Sequence, residues 1–146
     1  MPNNNKSSDF FDLPYEDNSL VVTEPYREWY IESKNTQLKS ILSNNNINFV
    51  DDVKFYENIK LKILNASHSA IAYIGHLLGY VYVHEAINDD ICYNFISNFL
   101  DKEVIPTLPH KNGFDIQAYK NKVLGRFKNS FIEDKLLIGK PFLWGP

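Results

Sequence analysis

Four polar side chains in one apolar stretch are the residues best suited to chemistry. Glu57, Lys60, Asn65 and His68 offer a carboxylate, an ammonium, an amide and an imidazole. Such groups are costly to bury unless each finds a partner or a task. Together they could take up a proton and donate hydrogen bonds to an oxygen that gains negative charge. The alternative is a structural hydrogen-bond network, with Lys60 reaching the surface along its aliphatic stem.

The surrounding residues predict that one helix carries all four groups. Apolar residues recur so continuously that the pattern indicates a helix buried on most sides; they are Ile59, Leu61, Ile63, Leu64, Ala66, Ala70, Ile71, Ile74, Leu77 and Leu78. With Lys60 at zero on an ideal α-helix, Glu57 lies near about 60°, His68 near about 80° and Asn65 near about 140°. Lys60 and His68 are roughly 12 Å apart along the axis. Either Lys60 reaches along the helix, or the chain bends near Asn65, a modest helix former.

The spacing of these residues resembles a known family signature. Lys60-x4-Asn65-x2-His68-Ser69 is similar to the signature of the polyol-specific long-chain dehydrogenases, the family that includes mannitol 2-dehydrogenase and fructuronate reductase. Further segments resemble the same family in the same order, and they are residues 22–32, 49–53, 56–57, 79–80, 83–86, 103–108 and 126–129. The resemblance runs from about Ser19 to about Asp134.

The resemblance implies a role for each polar residue. Lys60 matches the family's general base, and Asn65 and His68 match donors to the developing alkoxide. Glu57 matches a residue that relays or gates protons, although three residues from Lys60 it could also be a surface partner of that lysine. The implied reaction oxidises a secondary alcohol of a polyol such as mannitol, or reduces a keto-sugar, with NAD or NADP and no metal. The implied cofactor site is mainly in an N-terminal Rossmann domain that is absent from this sequence.

The expected fold is mainly α, a multihelical substrate-binding domain fragment with short extended segments before residue 51. We expect a disordered lead-in over residues 1–18, an incomplete helical domain of the mannitol dehydrogenase C-terminal type over residues 19–138, and a divergent tail over residues 139–146. The family typically has an arginine four residues after the aspartate matched by Asp134, whereas this chain has Ile138.

Local signals predict where the elements begin and end. Extended segments are predicted at residues 19–22, 29–31 and 47–50, and a break at residues 44–46. Helices are predicted at residues 33–43, 53–79, 91–105 and 116–127. Asp51 or Asp52 is the predicted cap of the helix at residues 53–79, and Asp89 or Asp90 is that of the helix at residues 91–105. Asp115 is the predicted cap of the last helix, and Pro106 ends the helix before it. The predicted core face of that helix comprises Ile91, Phe95, Ile96, Phe99 and Val104.

Composition argues against several other classes of protein. The 146 residues carry a formal net charge of −3, which favours neither nucleic acid nor an anionic membrane surface. A single cysteine, Cys92, precludes an intramolecular disulfide. No apolar run approaches the roughly 18 residues of a membrane span, and the polar N-terminus does not look like a signal peptide, so the cytoplasm is the expected location. The four histidines lack the paired spacing of a metal site.

Two non-catalytic interpretations remain open. The chain could be a helical structural or interaction domain that keeps the fold without the chemistry. It could also be a truncated gene product with no independent role. Ile138 and the absence of a Rossmann part favour the first of these.

We predict that the 146-residue chain alone does not bind NAD(H). Its six glycines are isolated, and none forms the G-x-G-x-x-G turn that holds a dinucleotide pyrophosphate. NADH fluorescence should therefore change only linearly with added protein. Saturable binding in the micromolar range would contradict this prediction.

Overall fold

The computed structural model describes residues 24–42 and 47–136. The predicted lead-in (residues 1–18), the extended segment at residues 19–22, the break at residues 44–46, Ile138 and the tail (residues 139–146) lie outside the described residues. Among the described helices, none combines the length and apolar character needed to cross a membrane.

Helices dominate the described residues, as the sequence predicts. In chain order the elements are β1 (Trp29–Glu32), α1 (Thr36–Leu42), β2 (Ile47–Val50), α2 (Val53–Ile59), a first π-helical segment (Lys60–Asn65), α3 (Ala66–Leu77), α4 (Val83–Asn88), α5 (Asp90–Phe99), a second π-helical segment (Leu100–Val104), a 3₁₀ turn (Ile105–Thr107) and α6 (Ile116–Phe127). The two strands pair in parallel, with Trp29 opposite Ile47.

Aspartate side chains fix the beginnings of three helices. Asp52, Asp89 and Asp115 accept hydrogen bonds from the backbone N–H groups of Lys54, Cys92 and Ala118, each at 2.9 Å. These bonds satisfy donors that the first helical turn leaves without a partner. The predicted caps are confirmed, and the structure selects Asp52 and Asp89 from the two pairs of candidates.

One continuous helix, built from α2, the first π segment and α3, supplies much of the core. Its buried positions recur every four residues, and they are Phe55, Ile59, Ile63, Ser67, Ile71 and Gly75. In a pure α-helix a row at this spacing drifts around the axis by about 40° per step, because 3.6 residues complete a turn. The π segment holds more residues per turn, since its hydrogen bonds span five residues, and it therefore returns the row toward the same side.

The helix formed by α5 and the second π segment likewise combines an α-helical part with a π-helical part. Its buried row is Cys92, Ile96, Leu100 and Val104, again at intervals of four. The core face predicted from the sequence was therefore partly wrong, because Ile91 and Phe95 are 72% and 55% exposed. They lie on the exposed flank of the helix, beside the row that contains Cys92 and Ile96.

Helix α4 was not predicted from the sequence, although it carries a recognisable signal. The Glu85 carboxylate accepts hydrogen bonds from the backbone N–H groups of Val81 and Tyr82, at 3.0 and 2.9 Å. A glutamate at the third helical position commonly closes a helix start in this way. The helix then buries Val83, Ala86 and Ile87.

Gly75 permits the closest approach between α3 and its neighbours. A Cβ atom at this position would lie 2.7 Å from Cβ of Ala86 and 2.7 Å from Cδ1 of Leu136. Both contacts are far shorter than van der Waals distance, so α4 and the segment that carries Leu136 can pack here only against a glycine.

We predict that Gly75→Ala destabilises the chain by about 1–3 kcal/mol, the usual cost of overpacking a core. Gly125→Ala is the matched control, because nothing lies within 4 Å of the new methyl group. In helix α6 that change should leave stability unchanged or raise it by up to about 1 kcal/mol. Urea unfolding of the two variants measures the difference, and equal midpoints would contradict the packing argument.

Large apolar side chains remain on the surface of α3, α5 and β1. Tyr73 and Leu77 lie one turn apart on α3, and they are 70% and 84% exposed. Trp29 on β1 is exposed as well. The long helix therefore buries one side only, and the expectation that it is buried on most sides was wrong for the described residues.

These exposed side chains lead us to expect that the isolated chain binds apolar dyes and unfolds less sharply than a complete domain. Fluorescence of an anilinonaphthalene dye and a thermal scan test this. A steep cooperative transition without dye enhancement would show that the apolar surface is covered in solution.

Candidate functional site

The four predicted site residues lie on the continuous helix. Glu57 is in the last turn of α2, Lys60 and Asn65 are the first and last residues of the first π segment, and His68 is in the first turn of α3. The chain remains helical through Asn65, with a π segment where the sequence had suggested a bend. The change in residues per turn instead shifts the phase of His68 relative to Lys60, and the angles of an ideal α-helix no longer apply.

The side chains differ in exposure. Glu57 and Lys60 are exposed, whereas Asn65 and His68 are half-buried. The sequence suggested that Lys60 lies among apolar neighbours, and the structure corrects this for the described part of the chain. Lys60 lies beside the buried row and is exposed, and its ammonium makes no hydrogen bond or ion pair with another described residue.

Glu57 and Lys60 share the wall of a cavity of about 430 Å³. Its other polar lining comes from Tyr26, Glu28, Tyr30 and Arg126, among others. Asn65 and His68 are not among the described residues that line it. The structure therefore brings together two of the four predicted residues and leaves the other two outside this cavity.

A carboxylate held by two tyrosines faces the same cavity. Glu28 accepts hydrogen bonds from the hydroxyl groups of Tyr26 and Tyr30, at 2.5 and 3.1 Å. Burial raises the pKa of both tyrosines well above its usual value, and the hydrogen bond and charge of Glu28 raise it further. The two phenols therefore stay protonated and act as donors, which fixes the Glu28 carboxylate in place.

The extended conformation of the chain that leads into β1 explains why these three side chains meet. In extended chain, alternate residues point to the same side, so Tyr26, Glu28 and Tyr30 converge. This period of two was the signal available in the sequence, although no role was assigned to it. Tyr30 also stacks on Tyr56, with ring centroids 4.0 Å apart.

An ion pair links the extended segment before β1 to helix α6. Arg126 donates to the Glu24 carboxylate, and its guanidinium lies 3.7 Å from the centroid of the Tyr26 ring. Both residues belong to segments that the sequence singled out, at residues 22–32 and 126–129. Only the fold shows that the two segments meet.

The serines beside His68 serve the backbone. The Ser67 hydroxyl donates to the carbonyl groups of Ile63 and Leu64, and the Ser69 hydroxyl donates to that of Asn65 at 3.1 Å. Serine hydroxyls inside helices commonly donate back to carbonyl groups of the preceding turn, and the Ile63 carbonyl also accepts from the Ala66 N–H. Neither serine is arranged as a nucleophile.

His68 contacts a carboxylate from the far end of the described chain. Its Nε2 atom lies 3.1 Å from Oδ2 of Asp134, and its ring stacks on Phe127 with centroids 5.6 Å apart. Burial alone would raise the pKa of the Asp134 carboxyl. The hydrogen bond and the charge of His68 are among the causes that lower it below its usual value instead.

Backbone hydrogen bonds hold Asp134 in this position. The Val83 N–H donates to the Asp134 carbonyl at 2.8 Å, and the Leu136 N–H donates to the Val81 carbonyl at 2.8 Å. Leu136 then fills the space beside Gly75, two turns along α3 from His68. The carboxylate is therefore fixed by the main chain on both sides.

The cavity places a lysine and a glutamate, both exposed, along one wall. Such groups suit general acid–base chemistry on a hydroxyl-bearing ligand. Among residues 24–42 and 47–136, no three histidine, cysteine, aspartate or glutamate side chains are grouped closely enough to hold a metal ion.

Comparison with known proteins gives consistent results. Residues 52–138 match the model of the mannitol dehydrogenase C-terminal domain. The chain is 40% identical over 124 residues to mannitol 2-dehydrogenase of Pyrenophora tritici-repentis, covering 83% of this chain and 22% of the relative. It is 36% identical over 119 residues to D-arabinitol 4-dehydrogenase of Klebsiella pneumoniae, covering 82% of this chain and 26% of the relative.

A solved structure has the same fold. The mannitol 2-dehydrogenase of Pseudomonas fluorescens, in a ternary complex with NAD and D-mannitol, superposes with a TM-score of 0.61 at 38% identity. The match covers 64% of this chain and 19% of that chain. The chain thus spans about a quarter of the length of the curated relatives it matches.

Proposed function

The chain belongs to the mannitol dehydrogenase C-terminal domain family, and we propose that it supplies the proton-handling groups of an NAD(P)-dependent polyol dehydrogenase. The substrate is a polyol such as mannitol, or the corresponding keto-sugar in the reverse direction. Residues 19–138 form the helical domain, preceded by a lead-in at residues 1–18 and followed by a divergent tail. The single observation that carries the proposal is the cavity shared by Glu57 and Lys60.

The described residues do not themselves fit the dinucleotide. β1, α1 and β2 form a parallel strand–helix–strand unit, the arrangement that can hold a pyrophosphate at its first turn. That turn is Ser33-Lys34-Asn35, which has no glycine to let the backbone approach the phosphates. We therefore propose that a Rossmann domain of the complete enzyme binds NAD(P), which accepts the hydride when bound.

This chain's own residues then handle the proton. Oxidation of a secondary alcohol releases a proton from the hydroxyl as hydride leaves the carbon, so a base must be close to that oxygen. Lys60 is the proposed base, since its amine reaches the cavity and it matches the family's lysine. Asn65 and His68 are the proposed contacts of the developing alkoxide, and in the described part of the chain they lie outside the cavity that Lys60 lines.

Glu57 is the proposed relay between Lys60 and solvent. It is exposed and lines the same cavity as Lys60, so a proton taken up by the lysine could pass through it to water. Glu28 extends the acidic wall beyond it. In the reductive direction the path runs the other way, and Lys60 returns the proton to the carbonyl oxygen.

A non-catalytic helical domain is the second candidate. The exposure of Lys60, with no ion pair among the described residues, favours it, because a base needs surroundings that exclude water. In the catalytic proposal, another part of the complete enzyme or the substrate must cover this side of the helix.

A chimaera separates the two candidates. The chain replaces the segment that it matches in the Pseudomonas fluorescens mannitol 2-dehydrogenase, and mannitol oxidation by NAD is measured. We predict that Lys60→Met lowers kcat by roughly 10²-fold or more, the usual scale for a general base. Methionine keeps the length of the stem and removes only the amine.

Lys54→Met is the matched control, because Lys54 is an exposed lysine on the same helix. It should retain parental turnover. Near-parental turnover of Lys60→Met would exclude Lys60 as the base. A folded chimaera without activity would favour the non-catalytic domain.

A further inference from the structure

We infer that Asp134 is a positioning residue that acts through His68, fixing the orientation and the protonated nitrogen of its ring. The inference rests on the proposed function only for its kinetic consequence, since the pair of side chains is a feature of the chain itself.

The hydrogen bond determines which ring nitrogen carries a proton. An ionised carboxylate can only accept, so the contact of 3.1 Å between Oδ2 of Asp134 and Nε2 of His68 requires the proton on Nε2. While the ring is neutral, Nδ1 is then the acceptor. Toward a substrate oxygen, Nδ1 would accept from a hydroxyl group while the ring is neutral and donate to an alkoxide once the ring is protonated.

The ring has little freedom to turn away from this arrangement. Phe127 stacks on one face at an interplanar angle of 21°. The half-buried carboxylate of Asp134 restrains the edge, and the helical backbone of α3 restrains the Cβ atom. A ring held by a carboxylate and an aromatic face needs no reorganisation when a substrate hydroxyl arrives.

The position of Asp134 is independent of its side chain. The Asp134 carbonyl accepts from Val83, and the Leu136 N–H donates to Val81. An isolated antiparallel bridge between Tyr82 and Lys135 joins the same two segments. Replacing the Asp134 side chain should therefore leave the segment in place, so a loss of function can be assigned to the missing carboxylate.

The arrangement is the same in kind as the aspartate and histidine of hydrolytic triads, in which the carboxylate holds the tautomer that the reaction needs. Here the histidine is a contact for the substrate hydroxyl, and Lys60 remains the proposed base. The sequence separation of 66 residues hides the pair, because His68 is on α3 and Asp134 follows α6.

The first test uses the 146-residue chain labelled with ¹⁵N at histidine. We expect a proton on Nε2 of His68 that exchanges slowly with water, assigned by its disappearance in His68→Gln. Asp134→Ala should lose the slow exchange, whereas Glu133→Ala, which removes the neighbouring carboxylate, should keep it. A His68 ring protonated on Nδ1, or an unchanged signal in Asp134→Ala, would overturn the inference.

The second test measures mannitol oxidation by the chimaera. Asp134→Ala should lower kcat by about 10-fold or more, as expected when a carboxylate no longer holds a histidine. Asp134→Glu should recover part of the rate. In a His68→Gln background, Asp134→Ala should change kcat by less than about 2-fold, since residues that act through one another are not additive.

Additive losses in the double variant would show that Asp134 does not act through His68. If the chimaera with intact Asp134 is folded but inactive, the proposed function fails. The ¹⁵N measurement on the chain itself then still decides the inference about Asp134.

Discussion

The fold depends on burying a row of residues that recurs every four positions along one long helix. Phe55, Ile59, Ile63, Ser67, Ile71 and Gly75 are all buried, and an α-helix by itself would carry such a row around its axis. The π segment between Lys60 and Asn65 counteracts this drift. The hydroxyl groups of Ser67 and Ser69 add hydrogen bonds to backbone carbonyl groups of the π segment.

The long helix also determines the surroundings of the polar residues that it carries. Lys60 flanks the row and lines a cavity together with the extended chain that leads into β1. His68, which follows the π segment, contacts Asp134 and is not among the residues that line this cavity. One helix therefore serves two polar neighbourhoods, a solvent-facing cavity with Glu28 and Glu57, and a half-buried histidine–aspartate contact. Irregular helical turns of this kind are frequent at functional sites.

Helix α6 contacts both neighbourhoods toward its end, and an ion pair holds it near its beginning. Near its beginning, the buried Lys120 ammonium donates to both oxygens of Asp101 in the second π segment, at 2.9 and 2.8 Å. The hydrogen bond from Lys120 is the main cause that lowers the pKa of Asp101. Toward its end, Arg126 holds Glu24 and covers Tyr26, and Phe127 stacks on His68. Removing one partner of a buried pair leaves an uncompensated charge, so these contacts specify where α6 lies.

The sequence by itself determined the local features, because local chemistry decides them. Asp52, Asp89 and Asp115 cap their helices through nearby N–H groups, and β2 and α6 occupy the residues that propensity and pattern predict. The spacing of Lys60, Asn65 and His68, together with further segments in the same order, indicated the family. Tertiary structure alone decided which side of each helix is buried, since Ile91 and Phe95 are as apolar as Ile96 yet face outward. It also decided the partners of His68 and Glu24, which lie 66 and 102 residues away along the chain. Contacts at such separations depend on how helices pack, and no local pattern of residues records that.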